Sequence, residues 1–302
     1  MIKHTEIFRA LLLMSALPFL AAAQTDGDRI DSTFALDRGG VVSLGAVSGE
    51  IRVSGSDRRD VRVIASMDRG RFEVSATRAR LAISTRSVGG RQSGTRFDVV
   101  VPIGTRVSAS TVSGRIEVRA TAGEVSIRTT SGSVEVRDAK ERLDVSTVSG
   151  DVELLRIAGR MRVEGVSATI YGDDLSGELD AETVSGEITV RRSTLDGMIA
   201  SAVSGTIEYQ GTLSTNGTYR LNTHSGNVIL GLPASVGAML DLETFSGRIN
   251  SDFPLTMQPG ETGGRRGRRM EFTIGSGGAR VTAQAFSGNI NIRRGTTTTD
   301  RE

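Results

Sequence analysis

From residue 40 onward, apolar and polar residues alternate along short runs that glycine-containing turns separate. In 124–131 (EVSIRTTS) and 133–137 (SVEVR), β-branched residues occupy most of the alternate positions. A period of two in such residues predicts β-strands, and no comparable stretch shows the 3.6-residue period of a helix. The chain is therefore predicted to be all-β, with two short strands in each repeated unit.

The dipeptide Ser-Gly marks the repeat. Its serines are Ser48, Ser113, Ser131, Ser149, Ser185, Ser204, Ser225, Ser246 and Ser287, with a degenerate copy at Ser167-Ala168. The spacing is 18 residues from Ser113 to Ser185, then 19, 21 and 21, and finally 41, which is two periods with an insertion. The glycine supplies a turn that tolerates a positive φ angle.

Alignment on the repeat serine places one residue type in each column. The third residue after the serine is Ile or Val in every unit, namely Ile51, Ile116, Val134, Val152, Ile170, Ile188, Ile207, Val228, Ile249 and Ile290. A single unit cannot bury its apolar side, whereas stacked units can. We therefore predict a parallel β-solenoid of about ten two-strand rungs of 18–21 residues. An antiparallel β meander has the same alternation, but it would place like residues at alternate ends.

The rhythm of the repeat divides the chain. Residues 30–107 break it with longer strand-like runs, and we interpret them as an N-terminal β cap that includes the first repeat. Residues 108–294 form the solenoid, with a loop inserted at 252–269. Residues 295–302 are polar and are expected to form a disordered tail.

The first 23 residues have the pattern of a secretory signal peptide. Lys3 and Arg9 precede the apolar run 10–20, and three alanines before Gln24 fit a cleavage site between Ala23 and Gln24. We therefore expect a secreted protein, periplasmic or extracellular, with no transmembrane segment after signal removal.

Composition narrows the chemistry. The chain has no cysteine and two histidines, one of which, His4, is lost with the signal. Thiolate metal sites and cysteine nucleophiles are excluded. Charge is nearly balanced and aromatic residues are sparse, so a nucleic-acid partner is not expected. We expect neither a cofactor nor a metal.

The repeats resemble those of a bacterial family of secreted β-strand-repeat proteins that carry the adhesin label and a domain of unknown function. The resemblance rests on Thr-Val-Ser-Gly at 111–114, 147–150 and 183–186, on Phe34-Ala-Leu with Gly39-Gly40, and on 101–107 (VPIGTRV). It implies a β-helical surface or envelope protein, and it brings no catalytic residues with it.

Two clusters break the repeat and are the candidate sites. The acidic group comprises Asp173, Asp174, Glu178 and Asp180, and no known calcium pattern surrounds it. The basic group comprises Arg265, Arg266, Arg268 and Arg269, a candidate interaction loop for an acidic glycan, a lipid headgroup or a protein. We favour a non-catalytic adhesin or scaffold that binds a surface, an envelope glycan or a protein. The alternative is a polysaccharide-active enzyme, a lyase or hydrolase, on a β-helix.

The residue directly before each repeat serine is apolar in most units. This column is Val47, Val112, Thr130, Val148, Val166, Val184, Val203, His224, Phe245 and Phe286. Its parity is wrong for the inner face, so we expect the chain to bend there and turn these side chains inward; an exposed stripe would instead be a partner surface. His224 is interpreted as a member of this ladder rather than a general base. The serine and threonine ladders are expected to bond local backbone.

Overall fold

The structure, a computed structural model, describes residues 28–86, 94–254 and 268–295. The predicted signal peptide with Ala23 and Gln24 lies outside the described residues, as do 255–267 of the expected loop and 296–302 of the expected tail. Arg265 and Arg266 therefore carry no structural account.

The described residues form nineteen strands that belong to one hydrogen-bonded sheet. The N-terminal strands are β1 Arg29–Ala35, β2 Val41–Ser56, β3 Asp60–Met67, β4 Arg71–Ala76, β5 Arg80–Arg86 and β6 Gly94–Pro102. The middle strands are β7 Arg106–Arg119, β8 Val125–Arg137, β9 Arg142–Leu155, β10 Ala158–Asp173, β11 Ser176–Ser185 and β12 Ile188–Ser204. The C-terminal strands are β13 Ile207–Ser225, β14 Val228–Leu232, β15 Ala238–Ser246, β16 Ile249–Ser251, β17 Arg268–Ile274, β18 Ala279–Ser287 and β19 Ile290–Arg294. Within these ranges no helix could cross a membrane.

Successive units stack in parallel, and the solenoid prediction is confirmed. β7, β8, β9 and β10 pair with one another at an offset of 18 residues, so that Val134 faces Val152 and Val152 faces Ile170. The meander alternative is wrong, because the repeats pair in parallel. The residues three places after the serine and four places before it point inward and belong to one apolar cluster, to which both strand segments of each rung contribute. The residues two places before the serine, mostly threonines, are buried as well.

The Ser-Gly corner requires glycine for two reasons. Gly132 has φ +138°, a conformation that side-chain-bearing residues rarely adopt. A Cβ atom at Gly132 would also collide with the carbonyl oxygen of Gly114 in the preceding rung. The same collision recurs along the glycine column, except in the degenerate unit, where Ala168 occupies the position. The repeat dipeptide therefore follows from how closely the other corners stack.

The N-terminal end departs from chain order. β2 lies between β7 on one side and the β5–β6 rung on the other, and pairs with all three in parallel. β4 then runs antiparallel to β5, β3 antiparallel to β6, and β1 antiparallel to β3. β5 and β6 thus form the first rung of the stack, and β1, β3 and β4 cover its outer edge.

The C-terminal end shows a second departure from chain order. The rung formed by β18 and β19 lies between the β13–β14 rung and the β15–β16 rung, and it is parallel to both. β17 runs antiparallel to β15 along its other edge. Arg268 and Arg269, at the end of the expected loop 252–269, belong to β17. The last rung in sequence is therefore the second-to-last rung in space.

Candidate binding surface

The residues directly before the repeat serines lie on the outside of the rod, and we call them the corner stripe. Val112 and Val148 are each 49% exposed, and Phe245 is 53% exposed. The same holds for the other apolar members that the structure records as exposed, namely Val47, Val166, Val184, Val203 and Phe286. The expectation that this column turns inward is wrong.

The alternation of the first strand explains the exposure. The threonines two places before the serine, such as Thr111 and Thr147, are buried, so the next residue points outward. The inner position then recurs three places after the serine, which is a shift of one residue in the alternation. The glycine with positive φ makes that shift after the stripe residue has already been placed outward.

The hydroxyl ladders next to the stripe bond backbone. The Thr129 hydroxyl donates to the carbonyl oxygen of Ser131 at 3.3 Å, and the Ser131 hydroxyl donates to the carbonyl oxygen of Val112 at 3.4 Å. Thr147 and Ser149 repeat the arrangement one rung further on. These hydroxyls hold adjacent corners together and leave the stripe as the feature of the corner that faces solvent.

The stripe ends in three stacked rings. His224 lies 4.7 Å from Phe286 between ring centroids, with 6° between the ring planes. Phe286 lies 4.9 Å from Phe245, with 3° between the planes. These distances equal the spacing of neighbouring strands. Phe286 is the central ring only because its rung is inserted between those of His224 and Phe245.

A groove of about 640 Å³ runs beside this end of the stripe. One wall is the stripe itself, from Val184 through Val203 to the three rings. The opposite wall is formed by the residues two places earlier, namely Glu164, Glu182, Ser201, Asn222, Gln284 and Glu243. Small residues between the walls, such as Gly165 and Ala202, form the floor. One side of the groove is therefore apolar and the other is polar.

The polar wall is acidic. Among the described residues that line the groove there are three glutamates and neither lysine nor arginine. Arg162, on the rim, donates to Glu164 at 2.8 Å, and Gln284 donates to Glu243 at 3.2 Å. The wall thus presents net negative charge opposite a hydrocarbon and aromatic surface.

The acidic group predicted from sequence does not form a shared site. Asp173 pairs with Arg192, Glu178 pairs with Arg160 at 3.0 Å, and Asp180 pairs with Arg162 at 3.1 Å. Asp174 stands exposed at a corner with φ +55°. Within 28–86, 94–254 and 268–295, no three acidic or histidine side chains are placed to hold a metal ion. These carboxylates serve as partners for arginines of adjacent strands.

The described residues of the basic group belong to β17. Arg268 begins β17 opposite Thr244. Arg269 pairs with Asp241 at 3.0 Å and with Glu271 at 2.7 Å. The guanidinium of Arg269 therefore fastens β17 to β15.

Sequence reasoning singled out the corner stripe but not the groove. The acidic wall could have been seen as Glu164, Glu182 and Glu243 in one column, three places before the serine. The order of the three stacked rings could not have been predicted from the sequence, because it depends on the insertion of the last rung.

The stacked rungs and the outward corner define the chain as a parallel β-solenoid with an exposed apolar edge. The chain belongs to the Toastrack DUF4097 family, whose model matches residues 50–293. This confirms the resemblance that the repeats indicated. Among curated proteins, none matches the chain. It is similar in structure to a proposed cell adhesion protein from Clostridium sporogenes, at 13% sequence identity and a TM-score of 0.25, over 88% of this chain and 99% of the other.

Proposed function

We propose that the protein is a non-catalytic binding protein of the cell envelope that attaches to a protein partner through the groove along the C-terminal part of the corner stripe. The observation that carries the proposal is the continuous run of exposed stripe residues from Val184 to Phe245, all apolar except His224, beside an acidic wall. Contiguous exposed apolar side chains bordered by polar residues are typical of interaction sites. Secretion through the predicted signal, with cleavage between Ala23 and Gln24, delivers the protein to the envelope.

The arrangement favours a polypeptide partner over a glycan. A sugar packs against the face of an aromatic ring, and Phe286 has both faces covered by His224 and Phe245. At Phe286, the central ring, only the ring edge is left to reach solvent. The acidic wall adds charge complementarity to basic side chains. The partner is therefore an extended segment with apolar side chains on one side and lysine or arginine on the other.

The test uses a fluorescent peptide of alternating lysine and valine, with a peptide of alternating glutamate and valine as its charge-reversed control. Fluorescence anisotropy on the mature chain is expected to show binding of the lysine peptide only, weakened by added salt. Phe245→Ser and Phe286→Ser are each expected to weaken it about ten-fold, as truncation of a central aromatic anchor does. Val112→Ser, on the same stripe but outside the groove, is the matched control.

Three results would contradict the proposal: equal binding of both peptides, an equal loss with Val112→Ser, or binding of an envelope polysaccharide that the two Phe variants abolish. The last would assign the groove to a glycan. Finding the chain in the cytoplasm with residues 1–23 intact would contradict the envelope location.

A further inference from the structure

The inserted C-terminal rung has the same register on both of its sides. Ser287 faces Ser225 in one neighbouring rung and Ser246 in the other. Ile290 likewise faces Val228 on one side and Ile249 on the other. The two outer rungs are therefore in phase with each other, separated by one layer.

If the β18–β19 rung were removed, the β13–β14 rung and the β15–β16 rung could pair with each other directly. Thr223 would face Thr244, and Val228 would face Ile249, in the parallel register that the rest of the rod uses. The inner columns would remain largely apolar across the gap, with Val228 beside Ile249 and Leu221 beside Leu242. The backbone hydrogen bonds of β13–β14 and β15–β16 can therefore be satisfied both with the β18–β19 rung between them and without it.

The inserted rung is joined to the rest of the described rod through residues 275–278 alone. These four residues, Gly-Ser-Gly-Gly, pass around the start of β15 from β17 on one edge to β18 on the other. Gly275 and Gly277 have φ +60° and +75°. By contrast, β2, the inserted rung at the N-terminal end, is continued by β1 on one side and β3 on the other.

We propose that the C-terminal rung, residues 279–294, is exchanged between two copies of this chain, each rung filling the slot between β13–β14 and β15–β16 of the other copy. Every hydrogen bond and column contact that the rung 279–294 makes with its slot is reproduced in the exchanged pair, because the slot and the rung are unchanged. Only the path of 275–278 differs. Its four residues span at most about 14 Å, so the two rods meet at their C-terminal ends.

The exchange carries part of the aromatic end with it. Phe286 belongs to the inserted rung, whereas His224 and Phe245 belong to its neighbours. In the exchanged pair, each stack would contain two rings from one copy and the middle ring from the other. The exchange is independent of what the groove binds.

The absence of cysteine from the sequence allows a direct test. One tagged chain carries Ser225→Cys and a second, differently tagged chain carries Ser287→Cys, at exposed positions that face each other in register. Neighbouring parallel strands place such Cα atoms within disulfide range. The two chains are mixed, warmed below the unfolding transition and oxidised, and the covalent heterodimer is measured on a non-reducing gel.

The matched control is the pair Ser113→Cys and Ser131→Cys, which face each other in the same way in rungs that are continued by strands on both sides. We expect at least ten-fold more heterodimer from the 225/287 pair. A single chain with both Ser225→Cys and Ser287→Cys is expected to form an internal disulfide and to remain monomeric. Equal yields from the two pairs, or no heterodimer while the internal disulfide forms, would overturn the proposal. Failure of the internal disulfide would overturn the register on which it rests.

Discussion

The middle of the rod and its C-terminal end are built from the same repeat but are connected differently. From β7 to β10 the rungs stack in chain order, and turns of a few residues join them. From β13 to β19 the last rung in sequence, β18–β19, lies between the two rungs that precede it in the chain. Register and columns are the same in both regions. The repeat therefore determines how rungs pair, and the connections determine which rungs are neighbours.

The two regions also differ in how deeply the same inner column is buried. The column three places after the serine is fully buried in the middle, where Val152 is 1% exposed. In the outermost C-terminal rung the same column holds Ile249, which is only half-buried. Middle rungs have neighbours on both sides, whereas the β16 segment pairs with β19 alone in the described structure. Equivalent substitutions should therefore have unequal effects in the two regions.

The largest contrast is expected from a charge in the buried column. Val152→Asp would place a carboxylate in an apolar stack with no cationic partner, and we expect a loss of at least about 4 kcal/mol in the free energy of unfolding. Ile249→Asp, in the same column, can reach solvent and should cost considerably less. Urea unfolding of the two variants beside the parent chain measures both values. Similar losses at 152 and 249 would show that the two rungs are covered alike.

A smaller contrast is expected at two glycines with positive φ. Gly132→Ala adds strain and forces a Cβ onto the Gly114 carbonyl, so we expect a loss of about 2–4 kcal/mol. Gly277→Ala, at the C-terminal end, has less strain, because φ +75° lies near the left-handed helical region whereas φ +138° is adopted almost only by glycine. It also has only ordinary contacts, the nearest being Thr273 at 3.6 Å. It should cost about 1–2 kcal/mol. Thermal unfolding of both variants measures how much more the corner glycine contributes, through its φ angle and the close approach of the Gly114 carbonyl together.

The smallest contrast concerns ion pairs. Glu135 in the middle is buried beneath Arg115 and Arg137. Burial alone would raise the pKa of Glu135, but hydrogen bonds from Arg137 and Arg115 hold it below its ordinary value. Glu135→Gln is expected to cost about 1–3 kcal/mol at pH 7. Asp241→Asn, which breaks the exposed pair with Arg269, should cost at most about 1 kcal/mol.

The pH dependence of the Glu135 variant follows from the direction of its pKa. Because the pKa is lower in the folded protein, the unfolded chain takes up the proton first as the pH falls. The stability from this group is complete above the unfolded pKa of about 4.3 and is lost as the pH falls through the folded value. The melting temperatures of the parent and Glu135→Gln should therefore converge below about pH 4. A constant difference from pH 3 to pH 7 would contradict the assignment.

The sequence predicted the register of the middle rungs because similar residues recur at intervals of 18 residues, and Val134 does face Val152. The order of the last two rungs could not be predicted, since Ile249 and Ile290 are interchangeable members of one column. The outward direction of the corner stripe was missed for a different reason. The alternation shifts at the glycine, and whether Val112 lies before or after the bend depends on a backbone angle that the residue pattern does not contain.

Because the offset between middle rungs is a constant 18 residues, the length of the rod can change by whole rungs. Deletion of residues 125–142 would join Glu124 to Leu143, and Leu143 already occupies the place of Val125 in the next rung. Each such unit changes the distance between the two ends by one strand spacing, about 4.8 Å. Gain or loss of 18-residue units can therefore change the distance between the three stacked rings and the N-terminal strands in steps of one rung, while the residues at both ends stay the same.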